Sequence, residues 1–199
     1  EHVALKDTLY LDELGYRVRL IGKAVREPES VFVAVFPLAI PIEHPLATVR
    51  NEFNAIFSTG NMVGESMIYG KGAGSLPTGS AVMSDILDIA FNMDQAPSHR
   101  NLESNIQPLP VTSIDQHQSQ FYCRILLKNQ PGALERMSHV FSESGVNISQ
   151  LIQKEHVNDE AEVVVLTDSV KEATFNTLKQ SLNNAADVAE LASVIRVGI

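Results

Sequence analysis

The stretch Leu126-Leu127-Lys128-Asn129-Gln130-Pro131-Gly132-Ala133-Leu134 leads from a strand into a helix through a tight turn. Phe121 to Leu127 is short and apolar, as in a buried strand. Asn129 to Gly132 contains the residue types that dominate turns. From Leu134 onward, apolar side chains recur at offsets of three and four residues, which predicts an amphipathic helix that ends at Gly145.

The pattern around this turn predicts an α+β unit over residues 120–199. Further strands are expected at Val146–Gln153, Ala161–Thr167 and about Ala192–Val197, with a turn at Val157–Glu160 and a second helix at about Val170–Leu182. The predicted order is βαββαβ, which is the ferredoxin-like arrangement.

The first 92 residues predict a mainly antiparallel sheet with flanking helices. We expect a helix at Leu5–Leu14, with Leu5, Leu9 and Leu14 in its apolar period, a hairpin of strands Tyr16–Ala24 and Val31–Phe36, breaks at Pro37, Pro41 and Pro45, strands at Phe53–Phe57 and Met62–Tyr69, and a helix to about Asn92. The predicted domains are residues 1–92 and 120–199. Residues 93–119, which are polar and proline-containing, are predicted to be a linker.

Composition narrows the classes of partner and compartment. The 199 residues carry a formal net charge of −9 without a Lys or Arg cluster, which argues against nucleic acid or an anionic membrane as partner. No apolar run is long enough to span a bilayer. The single cysteine, Cys123, excludes an internal disulfide and fits a reducing compartment, so we expect a buried structural thiol in a cytoplasmic protein. The histidines lack ligand spacing, and we predict no metal site.

A second stretch, Tyr69-Gly70-Lys71-Gly72-Ala73-Gly74-Ser75-Leu76-Pro77-Thr78, joins a strand to a helix. Two interpretations are open: a plain tight turn, or a glycine loop whose bare backbone and helix N-terminus meet an anion or a polar cofactor edge. Thr78 or Ser75 is expected to cap the helix, and Lys71 is a candidate for a cofactor phosphate. The spacing differs from that of a dinucleotide-binding fingerprint. His44, in an irregular loop, is either a proton-responsive interface residue or a capping residue.

The C-terminal stretch, together with Ser144-Gly145-Val146-Asn147-Ile148, resembles an ACT domain, a module that binds amino acids in many metabolic enzymes. The resemblance implies that Asn129, Gly132 and Asn147 contact an amino-acid effector at a dimer interface. Gly132 leaves helix N–H groups bare for a carboxylate, and the amide of Asn147 can both donate and accept. The alternative is that both asparagines only satisfy backbone groups and that the module serves for dimerisation.

Four motifs of the N-terminal half are similar to homoserine dehydrogenase. They are Leu14-Gly15-Tyr16-Arg17-Val18-Arg19-Leu20-Ile21-Gly22, His44-Pro45-Leu46-Ala47, Asn54-Ala55-Ile56-Phe57, and the glycine loop continued through Pro77-Thr78, Ser80-Ala81-Val82 and Ser84-Asp85. This family interconverts aspartate semialdehyde and homoserine with NAD or NADP, on the route to threonine, methionine and isoleucine. The resemblance implies that Gly72, Ala73 and Gly74 face the cofactor, whereas the Rossmann domain and the catalytic residues lie outside this chain.

These resemblances support two hypotheses of different classes. In the first, the chain, which begins at Glu1 rather than Met, is the C-terminal part of a homoserine dehydrogenase. It is then inactive alone, with a catalytic and dimerisation remainder at 1–92 and a regulatory ACT domain that binds threonine or a related end product. The alternative is a stand-alone amino-acid sensor or dimerisation module. Exposed sheet edges and apolar faces predict a homodimer or higher oligomer in both cases.

Overall fold

The computed structural model describes residues 3–93, 108–157 and 160–199. The centre of the predicted linker, residues 94–107, lies outside this part of the chain, as do residues 158–159 of the predicted turn. None of the described helices is long and apolar enough to cross a membrane.

Four helices and nine strands make up the regular structure of the described residues, which confirms the α+β class. The helices are α1 (Leu5–Glu13), α2 (Ser75–Asn92), α3 (Ala133–Glu143) and α4 (Glu172–Asn184). The strands are β1 (Tyr16–Arg26), β2 (Val31–Pro41), β3 (Phe53–Gly60), β4 (Gly64–Lys71), β5 (Gln118–Lys128), β6 (Ile148–Val157), β7 (Glu160–Thr167), β8 (Val170–Lys171) and β9 (Val188–Val197). Two short 3-10 helices lie at Pro45–Thr48 and Ile114–Gln116.

The main sheet has the strand order β1-β2-β9-β5-β7-β6, with β8 paired to β5. Strands β5, β6, β7 and β9 pair antiparallel, and with α3 and α4 they form the predicted βαββαβ arrangement. The hairpin β1–β2 extends this sheet, because β2 pairs in parallel with β9 at Leu38–Arg196 and Ala39–Val197. A single sheet therefore joins strands from the two ends of the chain.

The chain divides into two compact units that differ from the predicted domains. Residues 1–42 and 109–199 form the first, here called the core unit, and residues 43–108 form the second, here called the hairpin–helix unit. The prediction kept residues 1–92 together because they are consecutive in sequence. In the structure, the pairing of β2 with β9 places the first 42 residues in the same unit as the C-terminal strands.

Alternate residues of β5 face opposite sides of the sheet. Phe121, Cys123 and Ile125 pack under α3 and α4, and the rings of Phe121 and Phe175 stack with centroids 3.6 Å apart. Tyr122 points to the other side, where it packs with Leu11 of α1. Both faces of the strand are thus buried. Burial raises the pKa of the Cys123 thiol to about 12, so this cysteine is the predicted structural thiol.

The buried face of α1 carries a carboxylate, Asp7, beside the apolar Leu11, and it does not include Leu5 and Leu9 as predicted. Leu5 and Leu9 are 77% and 57% exposed, whereas Asp7 and Leu11 are buried. Asp7 accepts hydrogen bonds from the Arg124 Nε at 2.6 Å and from the Tyr122 hydroxyl at 3.1 Å. The apolar period along α1 did not indicate this face, because the partners of Asp7 lie more than 100 residues away in sequence.

Glu162 of β7 completes this buried polar cluster. Its carboxylate accepts from Tyr10 at 2.7 Å and from the Arg124 Nη1 at 3.1 Å, and it lies 2.6 Å from the Lys6 ammonium. Burial works to raise the pKa of Glu162, but the donors on Lys6, Tyr10 and Arg124 outweigh it and hold the pKa below its usual range. Because each partner fixes the next, the cluster ties α1 to β5 and β7.

The prolines of β2 do not end the strand, which corrects the prediction of a break after Phe36. Pro37 lies within β2, and Pro41 is its last residue. On the side away from β1, β2 is paired with β9 only at Leu38 and Ala39. Much of that edge therefore needs no backbone donor, and proline is tolerated on such an edge.

The described part of the hairpin–helix unit contains the β3–β4 hairpin, α2 and a 3-10 turn. The hairpin runs in register from Phe53–Lys71 to Gly60–Gly64, so its turn lies later than the predicted Ser58–Asn61. The rings of Phe53 and Tyr69 stack with centroids 4.8 Å apart. Of the described residues in this unit, only Ala47 is buried.

Candidate functional site

The glycine loop connects the end of β4 to the start of α2. A Cβ at Gly72 would lie 1.4 Å from the Asn54 side-chain nitrogen, so only glycine fits without a shift of Asn54. The Gly72 N–H donates to the carbonyl of Glu52 at 2.9 Å. The requirement for glycine at this position therefore comes from packing against the neighbouring strand.

Gly74 sets the direction in which α2 begins. It is the N-cap residue with a φ of 117°, a conformation that L side chains rarely adopt. Among the described residues, no side chain caps the helix, which corrects the expectation that Ser75 or Thr78 does so; the Thr78 N–H donates instead to the Gly74 carbonyl. The first-turn N–H groups of α2 therefore have no side-chain acceptor, which suits a negatively charged or carbonyl-bearing group.

Lys71 and His44 are engaged in contacts within the same unit. The Lys71 ammonium lies 3.2 Å from the Glu52 carboxylate and 5.6 Å from the ring centroid of Phe53. The His44 Nδ1 accepts a hydrogen bond from the Leu46 N–H at the start of the 3-10 turn. Of the two interpretations of His44, the structure agrees with the capping role.

A second candidate site lies where β5 turns into α3. Its cavity measures about 180 Å³. The lining residues come from β5, the Pro-Gly turn, the start of α3, and strands β6 and β7: Leu127, Lys128, Asn129, Gln130, Gly132, Ala133, Leu134, Gln153, Ala161 and Val163. Gly132 has a φ of 82° and is the N-cap of α3, again without a side-chain cap. Two of the three predicted effector residues, Asn129 and Gly132, thus share one cavity.

Asn147, the third predicted effector residue, does not line this cavity. Its side chain is exposed, and its carbonyl accepts from the Asp168 N–H at 3.0 Å. Sequence reasoning in turn missed Gln153, which reaches the cavity from β6. Gln153 lies on β6, which follows α3 in sequence, so the residues around the turn gave no local signal for it.

Three polar side chains hold the Pro-Gly turn in place. Arg136 and Gln130 both hydrogen bond to the Asp187 carboxylate, and Arg136 also donates to the Pro131 carbonyl at 3.3 Å. The Arg136 guanidinium beside Asp187 holds the pKa of that carboxyl below its usual range. A Cβ at Gly132 would lie 2.5 Å from the Arg136 Nη1. The turn is therefore held in part by Arg136 and Asp187, which lie outside its own four residues.

Within residues 3–93, 108–157 and 160–199, no group of three or more His, Cys, Asp or Glu side chains could hold a metal ion.

Comparison with known proteins divides the chain by family. Residues 1–87 match the family model described as homoserine dehydrogenase, and residues 121–187 match that of the ACT domain. Residues 1–87 are therefore similar to homoserine dehydrogenases. We refer to them as the homoserine dehydrogenase segment, and to residues 121–187 as the ACT domain.

Curated relatives match the chain along nearly its whole length. The homoserine dehydrogenase of Bacillus subtilis is 36% identical over 195 residues, which cover 96% of this chain and 45% of that protein. The enzyme of Neisseria gonorrhoeae is 37% identical over 198 residues, which cover 96% of this chain and 46% of that protein. The chain therefore spans about half the length of the curated relatives it matches.

Solved structures show the same similarity. A homoserine dehydrogenase from Thiobacillus denitrificans superimposes with a TM-score of 0.85 at 28% identity, covering 96% of this chain and 44% of that one. One from S. aureus gives a TM-score of 0.62 at 30% identity, covering 98% of this chain and 45% of that one.

The family boundaries do not coincide with the compact units. The homoserine dehydrogenase segment contributes α1, β1 and β2 to the core unit, while its glycine loop lies in the hairpin–helix unit. The Asn129 cavity belongs to the ACT domain. Strand β2, which belongs to the homoserine dehydrogenase segment, pairs in parallel with β9 at the end of the chain.

Proposed function

We propose that this chain is part of a homoserine dehydrogenase, an enzyme that interconverts aspartate semialdehyde and homoserine with NAD or NADP. The observation that carries the proposal is the succession of a homoserine dehydrogenase segment and an ACT domain in one chain. The proposed setting is the biosynthesis of threonine, methionine and isoleucine in the cytoplasm, a reducing compartment that suits the free, buried Cys123.

Gly72, Ala73 and Gly74 are proposed to form one wall of the dinucleotide site. Two features support this role: the loop presents backbone without bulky side chains, and the first turn of α2 has N–H groups without a side-chain acceptor. When bound, the dinucleotide supplies hydride exchange with the substrate. Backbone N–H donors of this loop would position the edge of the dinucleotide. The small side chains of the loop would leave room for the dinucleotide to approach the backbone.

The ACT domain is proposed to bind an amino-acid effector, with threonine as the expected ligand. The bare N-terminus of α3 suits the effector carboxylate, and the amide of Asn129 can pair with either of its charged groups. Asn147 lies outside the cavity of a single chain. In the proposed dimer it approaches the effector from a second copy.

A homodimer is proposed because the hairpin–helix unit exposes many large apolar side chains. In α2 these include Val82, Met83, Ile86, Leu87, Ile89 and Phe91, and in the hairpin Ile56 and Ile68. We infer that these side chains form an apolar patch, which marks an interaction site in a soluble protein. Sedimentation as a monomer at micromolar concentration would count against the dimer.

Activity is tested by incubating the chain with homoserine and NADP or NAD. We expect no turnover from the chain alone, since it spans about 45% of a relative's length. Turnover at ordinary enzymatic rates would contradict the assignment of the catalytic residues to another part of the protein. A coding region upstream of Glu1 with a glycine-rich βαβ start would favour the enzyme over the stand-alone module.

Effector binding is tested by calorimetry with threonine, methionine and isoleucine. We expect threonine to bind, and Asn129→Ala to weaken its binding. Asn101→Ala offers a control outside the ACT domain. Absence of heat from all three amino acids would favour the alternative, an ACT domain that serves only for dimerisation.

A further inference from the structure

A cavity of about 240 Å³ lies at the opposite end of β5 from the Pro-Gly turn. Strand β5 spans Gln118–Lys128, so the two cavities are roughly 30 Å apart along the strand. The lining residues come from β1, β2, the start of β5, and the chain around β8 and the end of β9: Lys23, Phe36, Leu38, His117, Gln118, Ser119, Gln120, Ser169, Val197, Gly198 and Ile199. We call this space the Lys23 cavity.

The charged group of the cavity is Lys23. Its side chain is half-buried, and burial lowers the pKa of its ammonium below the usual range. Among the described residues, no hydrogen bond or ion pair joins the Lys23 side chain to a carboxylate. A partly desolvated ammonium without a counter-ion is unfavourable, and an anion beside it would restore the lost interaction.

His117 forms a fixed polar wall beside Lys23. Its ring stacks on Phe32 with centroids 3.9 Å apart and an interplanar angle of 7°. Its backbone N–H donates to the Ile114 carbonyl, and its carbonyl accepts from the Glu172 N–H, both at 2.9 Å. Burial lowers the pKa of His117, with the charge of Lys23 a further cause, which favours the neutral ring. A neutral imidazole offers one N–H donor without a second full charge.

The neighbouring charges are already committed to other partners. Glu172 is paired with Arg196 in a two-point contact, the second bond being 3.0 Å long. Glu27 accepts from the Thr112 hydroxyl at 2.7 Å and also from Ser30. Among the described residues, neither of these carboxylates is paired with Lys23, although the whole chain has a net charge of −9.

The floor of the cavity is apolar, since Phe36, Leu38 and Val197 contribute to it. The volume is below the roughly 300–1,000 Å³ of pockets that hold drug-sized ligands. One cation, one neutral donor and the hydroxyls of Ser119 and Ser169 match a singly charged head group. A phosphate dianion would call for more positive charge.

We propose that the Lys23 cavity binds a small organic monocarboxylate, with its carboxylate at Lys23 and His117 and its aliphatic part on Phe36 and Leu38. Lys23, Phe36 and Leu38 belong to the homoserine dehydrogenase segment, whereas the wall at His117–Gln120 leads into the ACT domain. A ligand here would bridge the two family segments within the core unit. The proposal depends neither on dehydrogenase activity nor on the effector cavity at Asn129.

The test is a ¹⁵N NMR titration of the chain with acetate, butyrate and hexanoate, and with butyramide and inorganic phosphate as comparison ligands. We expect saturable shifts at the amides of Gln118, Ser119, Gln120 and Gly198, and tighter binding of butyrate than of acetate. Butyramide, which lacks the charge, should bind about tenfold or more weakly than butyrate, the loss typical of a charged hydrogen-bond partner.

Variants then assign the binding to Lys23. Lys23→Met should weaken butyrate binding by about tenfold or more, and Lys23→Arg should retain most of it. Lys179→Met, at an exposed position of α4, is the matched control and should bind as the parent does. Equal butyrate binding by Lys23→Met, or shifts confined to another region, would overturn the proposal. So would absence of binding by every carboxylate, or tighter binding of phosphate than of butyrate.

Discussion

The core unit and the hairpin–helix unit differ in where their apolar side chains find partners. Phe141 of α3 is 1% exposed, whereas Phe91 of α2 is 77% exposed, although both lie on helices with apolar positions at helical spacing. In the core unit, α3 and α4 cover one face of the sheet around β5, and α1 covers the other. The described residues of the hairpin–helix unit form their elements without a buried core. Helical periodicity therefore predicts that a helix has an apolar face, but not what covers it.

The largest expected difference between the two units is in the free energy of unfolding that is lost when a phenylalanine is truncated. We expect Phe141→Ala to lower the free energy of unfolding by about 3–5 kcal/mol, because it leaves a cavity under the sheet. Phe91→Ala should change it by about 0.5 kcal/mol or less. Urea unfolding, measured at low protein concentration to exclude self-association, gives both values. Equal losses for the two variants would mean that α2 is packed within the chain.

The second prediction compares the buried polar cluster of the core unit with an exposed ion pair. Arg124→Met leaves Asp7 and Glu162 buried without their shared partner, and we expect a loss of about 3 kcal/mol in the free energy of unfolding. The matched variant Arg17→Met removes the exposed pair with Asp12 and should cost about 1 kcal/mol or less. A small loss for Arg124→Met would show that the cluster does not hold α1 to the sheet.

A smaller effect is expected from pH, through Glu162. Its pKa is lower in the folded than in the unfolded protein, so its stabilising contribution is complete above the unfolded pKa of about 4.3. That contribution disappears as the pH falls through the folded pKa. Glu162→Gln should therefore flatten the loss of stability below about pH 4.3, whereas Glu190→Gln, at an exposed position, should not. Unfolding curves recorded from pH 3 to 7, at intervals of about half a pH unit, give the slope of the free energy of unfolding against pH for each protein. Parallel slopes for parent and Glu162→Gln would contradict this role.

The smallest effects concern two glycines at the start of α2. Gly74→Ala places a Cβ at a φ of 117° and should destabilise the helix start by about 1 kcal/mol. Gly79→Ala meets no atom within 4 Å in the interior of the same helix and should stabilise it by about 0.5–1 kcal/mol. Amide hydrogen exchange along α2 gives both changes. The same sign for both would mean that Gly74 is not held in this conformation.

Local sequence signals predicted the elements of the ACT domain well. The turn at Asn129–Gly132 and the glycine at 145 mark the ends of α3, and Gly145 indeed has a φ of 68°. The candidate site was predicted less completely. Asn129 and Gly132 lie together because they are neighbours in one turn, whereas Gln153 and Asp187 reach the same region from β6 and from the residues before β9. Contacts between distant residues leave no local pattern.

The α+β class, the βαββαβ order and the β1–β2 hairpin could be predicted from the amino-acid sequence. The signals that indicate them, periodicity and turn residues, act over a few neighbouring residues. The pairing of β2 with β9, and the burial of Asp7 and Leu11 of α1 rather than Leu5 and Leu9, are visible only in the tertiary structure. The physical reason is the same in both cases. A parallel strand pair and a buried carboxylate are stable only with partners from far along the chain, and those partners are brought together only by folding.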